Sequence, residues 1–489
     1  MASSSKRTPT TDTTDGVSVT LPPADATPRE ATRSQRVAAG KAVRAQVPLE
    51  AHAEFTPGSS RDPVGLLVSQ SVTRVPELVP VRHGRMLVSP FTYYRGAALP
   101  MAADLATTPT TGLRVQLCGD AHLANFGAYA SPERKLVFDI NDFDETLPGP
   151  FEWDVKRLAA SLVVAGRANS FSRKEIRKSA LAAASAYRRA MREFAAQSLL
   201  SVWYAHLDVE EALTTFRSQL KADRYAATAA MVAKARTRNS QQALSKLTTV
   251  VDGQHRIISN PPLIVPIKEL FSELQAHEIY RQIGELIDRY GRTLQSDRQY
   301  LLQQFSLTQV ARKVVGVGSV GTRAWILLLH AGGGDEPLIL QAKEAQTSVL
   351  SDFAGPTEYG SQGERVVAGQ HMMQASSDIF LGWQQTTGPD GVARDYYVRQ
   401  LRDWKFSLPI EQMQPVGMLL YAGMCAWTLA RAHACSGDRM AIAAYLGKSD
   451  KFDQAIADFA ETYADQNERD HAELAAAVTS HRIESVSGL

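Results

Sequence analysis

Residues 117 to 145 read LCGDAHLANFGAYASPERKLVFDINDFDE, and the reading of this stretch decides the fold. Asp120, His122 and Asn125 fall in one short loop, a turn-rich hairpin follows, and the apolar run Leu136-Val137-Phe138 leads into Asp139, Asp142, Asp144 and Glu145. The β-branched and aromatic residues around Asp139 favour a strand, which puts the second carboxylate cluster at a strand end. A carboxylate, an amide five positions on and a carboxylate closing a buried strand suit magnesium held beside a nucleotide. In that arrangement the first Asp takes the proton of an acceptor hydroxyl, while the Asn and the later Asp hold metal. Hard oxygen donors of this kind select Mg²⁺ over a soft metal. Either half taken singly also reads as a polar turn or a capped strand end; the specific signal is the pair joined by a hairpin.

At 489 residues the chain is long enough for two or three lobes around a large core. Hydrophobic residues make up 44% and charged residues 21%, as in ordinary soluble globular proteins. The 53 basic and 51 acidic residues leave a net charge of +2, and the basic ones are scattered, so no nucleic-acid partner is expected. Cys118, Cys425 and Cys435 are too few and too irregular for a disulfide framework or a zinc site. A reducing, cytoplasmic setting is the expectation. The segment MASSSKRTPTTDTTDG has no apolar core of a secretory signal. The longest apolar stretch, Val416 to Ala430, is interrupted by Gly417, Gly423 and Thr428 and reads as a core helix, so no membrane partner is expected. Oligomeric state is not encoded in any feature of the chain.

Working outward, residues 1–45 are rich in Ser, Thr, Pro and Ala and are expected to be a disordered tail. Residues 46–309 should form a catalytic-loop and helical lobe, with a helix from Pro63 to Val72 and a strand from Arg114 to Leu117. The pattern WDVKRLAASLVVAGRA predicts a buried helix beginning near Trp153. Long helical periodicity fills 172–247 and 266–305, a large insertion, with Gln254 to Pro266 as a proline-marked loop between. Residues 310–410 switch to short strands and should form a glycine-loop lobe; residues 411–489 return to helices that complete the helical lobe. Arg85 and Arg95 flank Phe91, Tyr93 and Tyr94 and have two readings, facing the active site or, the commoner outcome, snorkelling around packed aromatics. Asp465, Asn467 and Asp470 read as a solvated helix face.

A second constellation lies in the 310–410 segment. Gly316, Gly318 and Gly321 form GVGSVG, Ser319 stands at its centre, and Lys343 lies on the strand after the next hairpin. In a dinucleotide fold this motif would open a helix, whereas TRAWILLL after it is aromatic and aliphatic, so the glycines sit inside a β-hairpin. That placement fits a phosphate-covering loop whose lysine comes from the third strand. Glycines there let backbone N–H groups approach phosphate without a Cβ in the way. Glu364, on the helix that follows, is the expected ion-pair partner of Lys343. Strand, loop, strand, lysine strand, Glu-bearing helix and two more strands are the parts of a kinase small lobe in order. In an ordinary kinase the Asp…Asn loop and the metal Asp come after them, and here they come first, at 117–145. The expected fold class is therefore α+β: a protein-kinase-like two-lobed fold, circularly permuted, with a large helical insertion.

From about residue 40 to 475 the chain resembles an uncharacterised bacterial family known as a domain of unknown function, through RMLVSPFTYYRGAA, CGDAHLANFG, FDINDFDETLPGPFEWDVKRLA, VGVGSVGTRAW, LQAKEA and YADQNERDH. The catalytic parts alone are similar to aminoglycoside-phosphotransferase-like kinases. Their H-G-D-x-H-x-x-x-N loop resembles Cys118-Gly119-Asp120, His122 and Asn125, with Asn125 one position early and Cys118 in place of a histidine. Their I-D-W-E strand end and Y-D-L-A helix start resemble Asn141-Asp142-Phe143-Asp144 and Trp153-Asp154-Val155-Lys156. The resemblance implies Asp142 as principal metal ligand, assisted by Asp144 or Asp139, and His122 as a residue that orients backbone and phosphate.

The expected activity is Mg²⁺- and ATP-dependent phosphoryl transfer to a small-molecule hydroxyl. Only ten positions separate Asp144 from Asp154, too few for a segment that docks a protein substrate. Two rivals stand beside it: a pseudokinase-like nucleotide-binding protein, and a magnesium-dependent diphosphate enzyme of terpene-synthase type suggested by DINDFDE and the helical middle. The latter would need its acidic motif on a helix.

Overall fold

Alternation of aliphatic side chains sets the larger sheet. In the computed structural model, which describes residues 31–488 apart from 238–239, 252–253, 315, 333–335, 389 and 402, the stretch EPLILQAKEA is a strand buried on both faces. The strands in chain order are β1 (Arg114–Leu117), β2 (Phe126–Ala130), β3 (Leu136–Ile140), β4 (Leu147–Pro150), β5 (Leu207–Asp208), β6 (Thr248–Val251) and β7 (Gln254–Ile257). They continue with β8 (Ile264–Pro266), β9 (Ser306–Lys313), β10 (Ala324–Ala331), β11 (Glu336–Ala345), β12 (Gly382–Thr387) and β13 (Ala393–Gln400). The last six form one antiparallel sheet in the order β12-β13-β11-β10-β9-β8. Ala324 pairs with Lys343 and Ile326 with Gln341, so these residues share one face, while Leu327 and Leu340 share the other.

Both faces are covered. Helix Glu273–Gly291 contributes Ala276, Ile279 and Leu286 to a core with Leu327, Leu329, Leu338 and Leu340. Helix Ser240–Leu247 lays Ala243, Leu244 and Leu247 over Ile326, Leu328 and Ile339. The later part of the helical insertion thus serves as the second and third layers of this sheet. The segment Gln254 to Pro266, expected as a loop, instead supplies β7 and the edge strand β8. Pro266 is tolerated there because an edge strand leaves one row of N–H positions unpaired.

The remaining chain is an α+β body. Antiparallel pairs β1·β4 and β2·β3 lie against helices Phe151–Ala168, Arg173–Ala196, Pro415–Ser436 and Lys451–Thr479, whose apolar residues form the largest core. None of the described helices is long and apolar enough to cross a membrane. Within the stretch expected as a tail, residues 32–45 depart from the expectation: Arg33–Gln46 is a helix packed on Arg439–Leu446, so close that a Cβ on Gly40 would meet the Ala441 carbonyl oxygen at 2.1 Å. Residues 1–30 lie outside the described residues. Asn467 and Asp470 are also buried rather than solvated, and Arg61 grips Asp470 and Asp104 together.

His52, in the short turn Leu49–Ala53, is fully buried between the rings of Tyr445 and Phe452. Burial, and then the charge of Lys156, lower its pKa to about 3. An unfolded histidine titrates near 6.5, so the fold holds its full stability above that pH and loses it as the pH falls toward 3 and only the unfolded chain takes the proton. His52→Phe is expected to flatten this acid limb in urea melts between pH 7 and 4. An unaltered pH profile would assign the limb elsewhere.

Candidate functional site

The acidic loop is shaped by backbone donors. The Asp154 carboxylate accepts N–H groups of Cys118 (2.8 Å) and Gly119 (3.1 Å), and His433 and Tyr187 continue that chain of bonds. Gly119 has φ of +80°, and a Cβ there would come within 2.4 Å of the Glu145 carbonyl oxygen. Asn125 ties the two acidic segments together: its Nδ2 donates to the carbonyls of Asp120 and Asp142 (3.0 Å each), and its Oδ1 accepts the Asp142 N–H (2.8 Å). The spacing noted in the sequence thus has a mechanical cause.

Opposite this loop stands β11. Lys343, almost fully buried, reaches Asp142 Oδ2 at 3.5 Å and donates to Asp144 Oδ2. Asp144 also accepts Tyr397 Oη (2.8 Å) and Ser319 Oγ (3.2 Å). Burial favours neutral forms of the lysine and of Asp142, but the mutual charges win. Lys343 is held above the ordinary lysine pKa and Asp142 below the carboxylate range, the latter with help from Arg399. Gly316, Gly318 and Ser319 line the same cavity of about 850 Å³, together with Asp120, His122, Asn125, Asp142, Asp144 and Lys343. That volume suits a small-molecule ligand. Gly321 falls outside the lining; its φ of +91° and its packing on Arg74 give it a turn-forming part.

Asp120 is gripped by Arg157, which donates to Oδ1 from Nε (2.5 Å) and from Nη2, leaving Oδ2 with only His122 Nε2, at 3.5 Å, among the described residues. His122 is neutral: burial lowers its pKa to about 4. Burial also pushes the Cys118 thiol well up, which removes it as a nucleophile at neutral pH.

Two expected residues stand elsewhere. The Asp139 carboxylate is buried away from the cavity and accepts N–H groups of Ile140 (2.9 Å) and Ala375 (2.8 Å), so it braces the start of a loop instead of facing metal. Glu364 sits half-buried in the first turn of helix Gln362–Met373 and makes no bond to Lys343 among the described residues. The neighbouring Arg365 turns inward in its place, donating to the carbonyls of Asp144 (2.8 Å), Thr146 (2.6 Å) and Gln346 (2.8 Å). Lys343 has two aspartates as partners and so does not need Glu364. The helix carrying Arg365 rests on Gly369, where a Cβ would lie 2.5 Å from Thr146 Cγ2. Gly369→Val is expected to cost about 1–3 kcal/mol by overpacking, measured by chemical denaturation; full stability would show that the helix shifts freely.

Sequence reasoning missed Arg157 and Arg365 and gave Asp154 no role beyond the helix-start resemblance. A signal existed for Arg157 and Asp154: Glu152, Asp154, Lys156 and Arg157 are charges within a helix whose other residues from Phe151 to Val164 are apolar apart from Ser161, and buried charges demand partners.

Among the described residues no trio of His, Cys, Asp or Glu side chains forms a ready-made metal site. The donor set still fits magnesium. Asp142 and Asp144 already share one cation, Lys343, and Mg²⁺ typically takes only one or two carboxylates, completing its shell with phosphate oxygens and water. The acidic run lies on a strand and the turn after it, not on a helix, contrary to a terpene-synthase-like arrangement.

Fold and site define an α+β protein in which an acidic loop and a lysine strand face one cleft beneath a glycine turn. Over residues 74–477 the chain matches the family described as an uncharacterized protein conserved in bacteria, DUF2252, and it belongs to that family. No curated protein and no solved structure matches it.

Proposed function

We propose that this chain is a magnesium- and ATP-dependent phosphotransferase acting on a hydroxyl group of a small molecule, with kinase-like lobes in permuted order. The observation that carries the reading is the meeting of Lys343 with Asp142, 201 residues apart in sequence, in the cavity that also holds Asp120 and the glycine turn. The sheet order β12-β13-β11-β10-β9, with a helix between β11 and β12, gives further support as the arrangement of a kinase small lobe.

In this reading the backbone N–H groups of the 316–321 turn cover the phosphates. Lys343 exchanges its carboxylate partners for phosphate oxygens. Asn125 keeps Asp142 and Asp120 in register, and Asp142 and Asp144 hold magnesium, which when bound spreads the charge developing on the transferred group. Asp120 orients the acceptor hydroxyl through Oδ2 and receives its proton, since Oδ1 belongs to Arg157. The strand β4 begins three residues after Asp144, which leaves no segment to dock a protein and favours a small acceptor.

A nucleotide-plus-magnesium thermal-shift screen tests this. A metal-dependent shift in the wild type that vanishes in Asp142→Ala is the expected result, and no shift in either would sink the proposal. The grip of Arg157 on Asp120, which occupies one of its two oxygens, favours a second reading: a nucleotide-binding protein without transfer. Binding with no labelled product across a metabolite panel would decide for it.

A further inference from the structure

We propose that Arg95 is the seat of the nucleotide's terminal phosphate, an assignment that rests on the phosphotransferase reading and adds to it a residue from the helix Pro90–Gly96. The backbone there touches the glycine turn: a Cβ on Gly318 would come within 3.2 Å of the Arg95 carbonyl oxygen. Arg95 lines the cavity with Asp120, His122, Asp142 and Lys343, and its charge acts on His122. Its Nε is buried with no hydrogen-bond partner, and among the described residues no carboxylate forms an ion pair with it.

Such a guanidinium is costly where it stands. An arginine cannot relieve burial by losing its proton, so the cost persists until an anion arrives. The neighbouring acid, Asp120, already has its Oδ1 occupied by Arg157. Lys343 is likewise compensated, by Asp142 and Asp144. Arg95 is therefore a cation of this cleft that meets a ligand without an ion-pair partner among the described residues. His122 Nδ1 is a second buried polar atom on the same wall without a partner.

Position selects the anion. Arg95 lies beneath the tip of the glycine turn, with Glu411 and then Asp120 close enough for their carboxylates to act on its charge, and of the two Asp120 is the one that lines the cavity. A phosphoryl group covered by that turn and delivered to a hydroxyl at Asp120 must pass between them. A planar fork of N–H donors matches phosphate oxygens in pairs, which a lysine does not. The α- and β-phosphates sit farther back under the turn, so an ADP lacks the group that Arg95 holds.

The test uses calorimetric titration of the full chain with magnesium and either ADP or the imido analogue of ATP, in wild type, Arg95→Ala and Arg95→Lys. The expected result is that Arg95→Ala weakens the imido analogue by about 10- to 100-fold, leaves ADP affinity unchanged, and that Arg95→Lys falls between. Unchanged ADP affinity is also the control that the variant is folded. Equal weakening of both nucleotides in both variants would make Arg95 part of the scaffold and overturn the assignment, as would no change for either. If the wild type binds neither nucleotide, the phosphotransferase reading itself falls, an outcome distinct from wild-type binding that ignores Arg95.

Discussion

Asn in place of Asp120 is expected to lower phosphoryl transfer by about 10²- to 10⁴-fold, the usual contribution of a positioned general base. The substitution preserves the size of the side chain and an oxygen for Arg157, but the amide cannot take a proton from an acceptor. A second effect follows from the pairing. Arg157 is nearly buried, sits 4.6 Å over the Tyr94 ring and donates to the Tyr94 carbonyl, so it keeps its place while losing its counter-ion. Breaking a buried pair costs about 3–5 kcal/mol, and the 21% exposure of the Asp120 side chain puts this one below that range. Turnover must therefore be measured at a temperature where the variant is fully folded, with nucleotide affinity as the control. Normal turnover in a folded, nucleotide-binding variant would remove Asp120 from the chemistry.

Lys343→Met should have a comparable effect by another route. Removing a fixed positive charge from a water-poor site typically costs about 10²- to 10³-fold in kcat, and Lys343 is only 3% exposed at its side chain. The more discriminating consequence concerns the metal. Wild-type Asp142 and Asp144 share the ammonium of Lys343, so magnesium without nucleotide has to compete with it. In the Met variant the carboxylates keep the more distant charges of Arg399 and Lys405 and the neutral donors Tyr397 and Ser319 nearby. Magnesium chloride alone should raise the melting temperature of the variant more than that of the wild type, while ATP-dependent turnover falls. If the ion stabilises both proteins equally, the two aspartates do not form its site.

The sequence revealed the parts of the molecule that depend on short-range chemistry. The strands β9 to β13 were legible because aliphatic alternation and glycine turns mark them locally, and the loop with Asp120 and Asn125 because five positions hold its polar residues together. What was illegible depends on rotation and on distant packing. Glu364 and Arg365 are adjacent, about 100° apart around a helix, and nothing local says which one faces the acidic turn. Asp139 and Asp142 lie in one acidic run, and only the pleat and the bend after Ile140 send the first to Ala375 and the second to Lys343. The helix Arg33–Gln46 has Gly40 as its one buried residue, so it presents no apolar stripe to read. Its place is set by backbone contact with Arg439–Leu446, a partner about 400 residues away.

The order of the halves bears on how the protein is made. Asp142 leaves the ribosome 201 residues ahead of Lys343, an interval of roughly 10–40 s at bacterial elongation rates of about 5–20 residues per second. During that time the nascent chain carries its carboxylates without their ammonium, and the glycine turn does not yet exist. A truncated product of this gene would therefore display the acids to solvent cations with no opposing wall to enclose them.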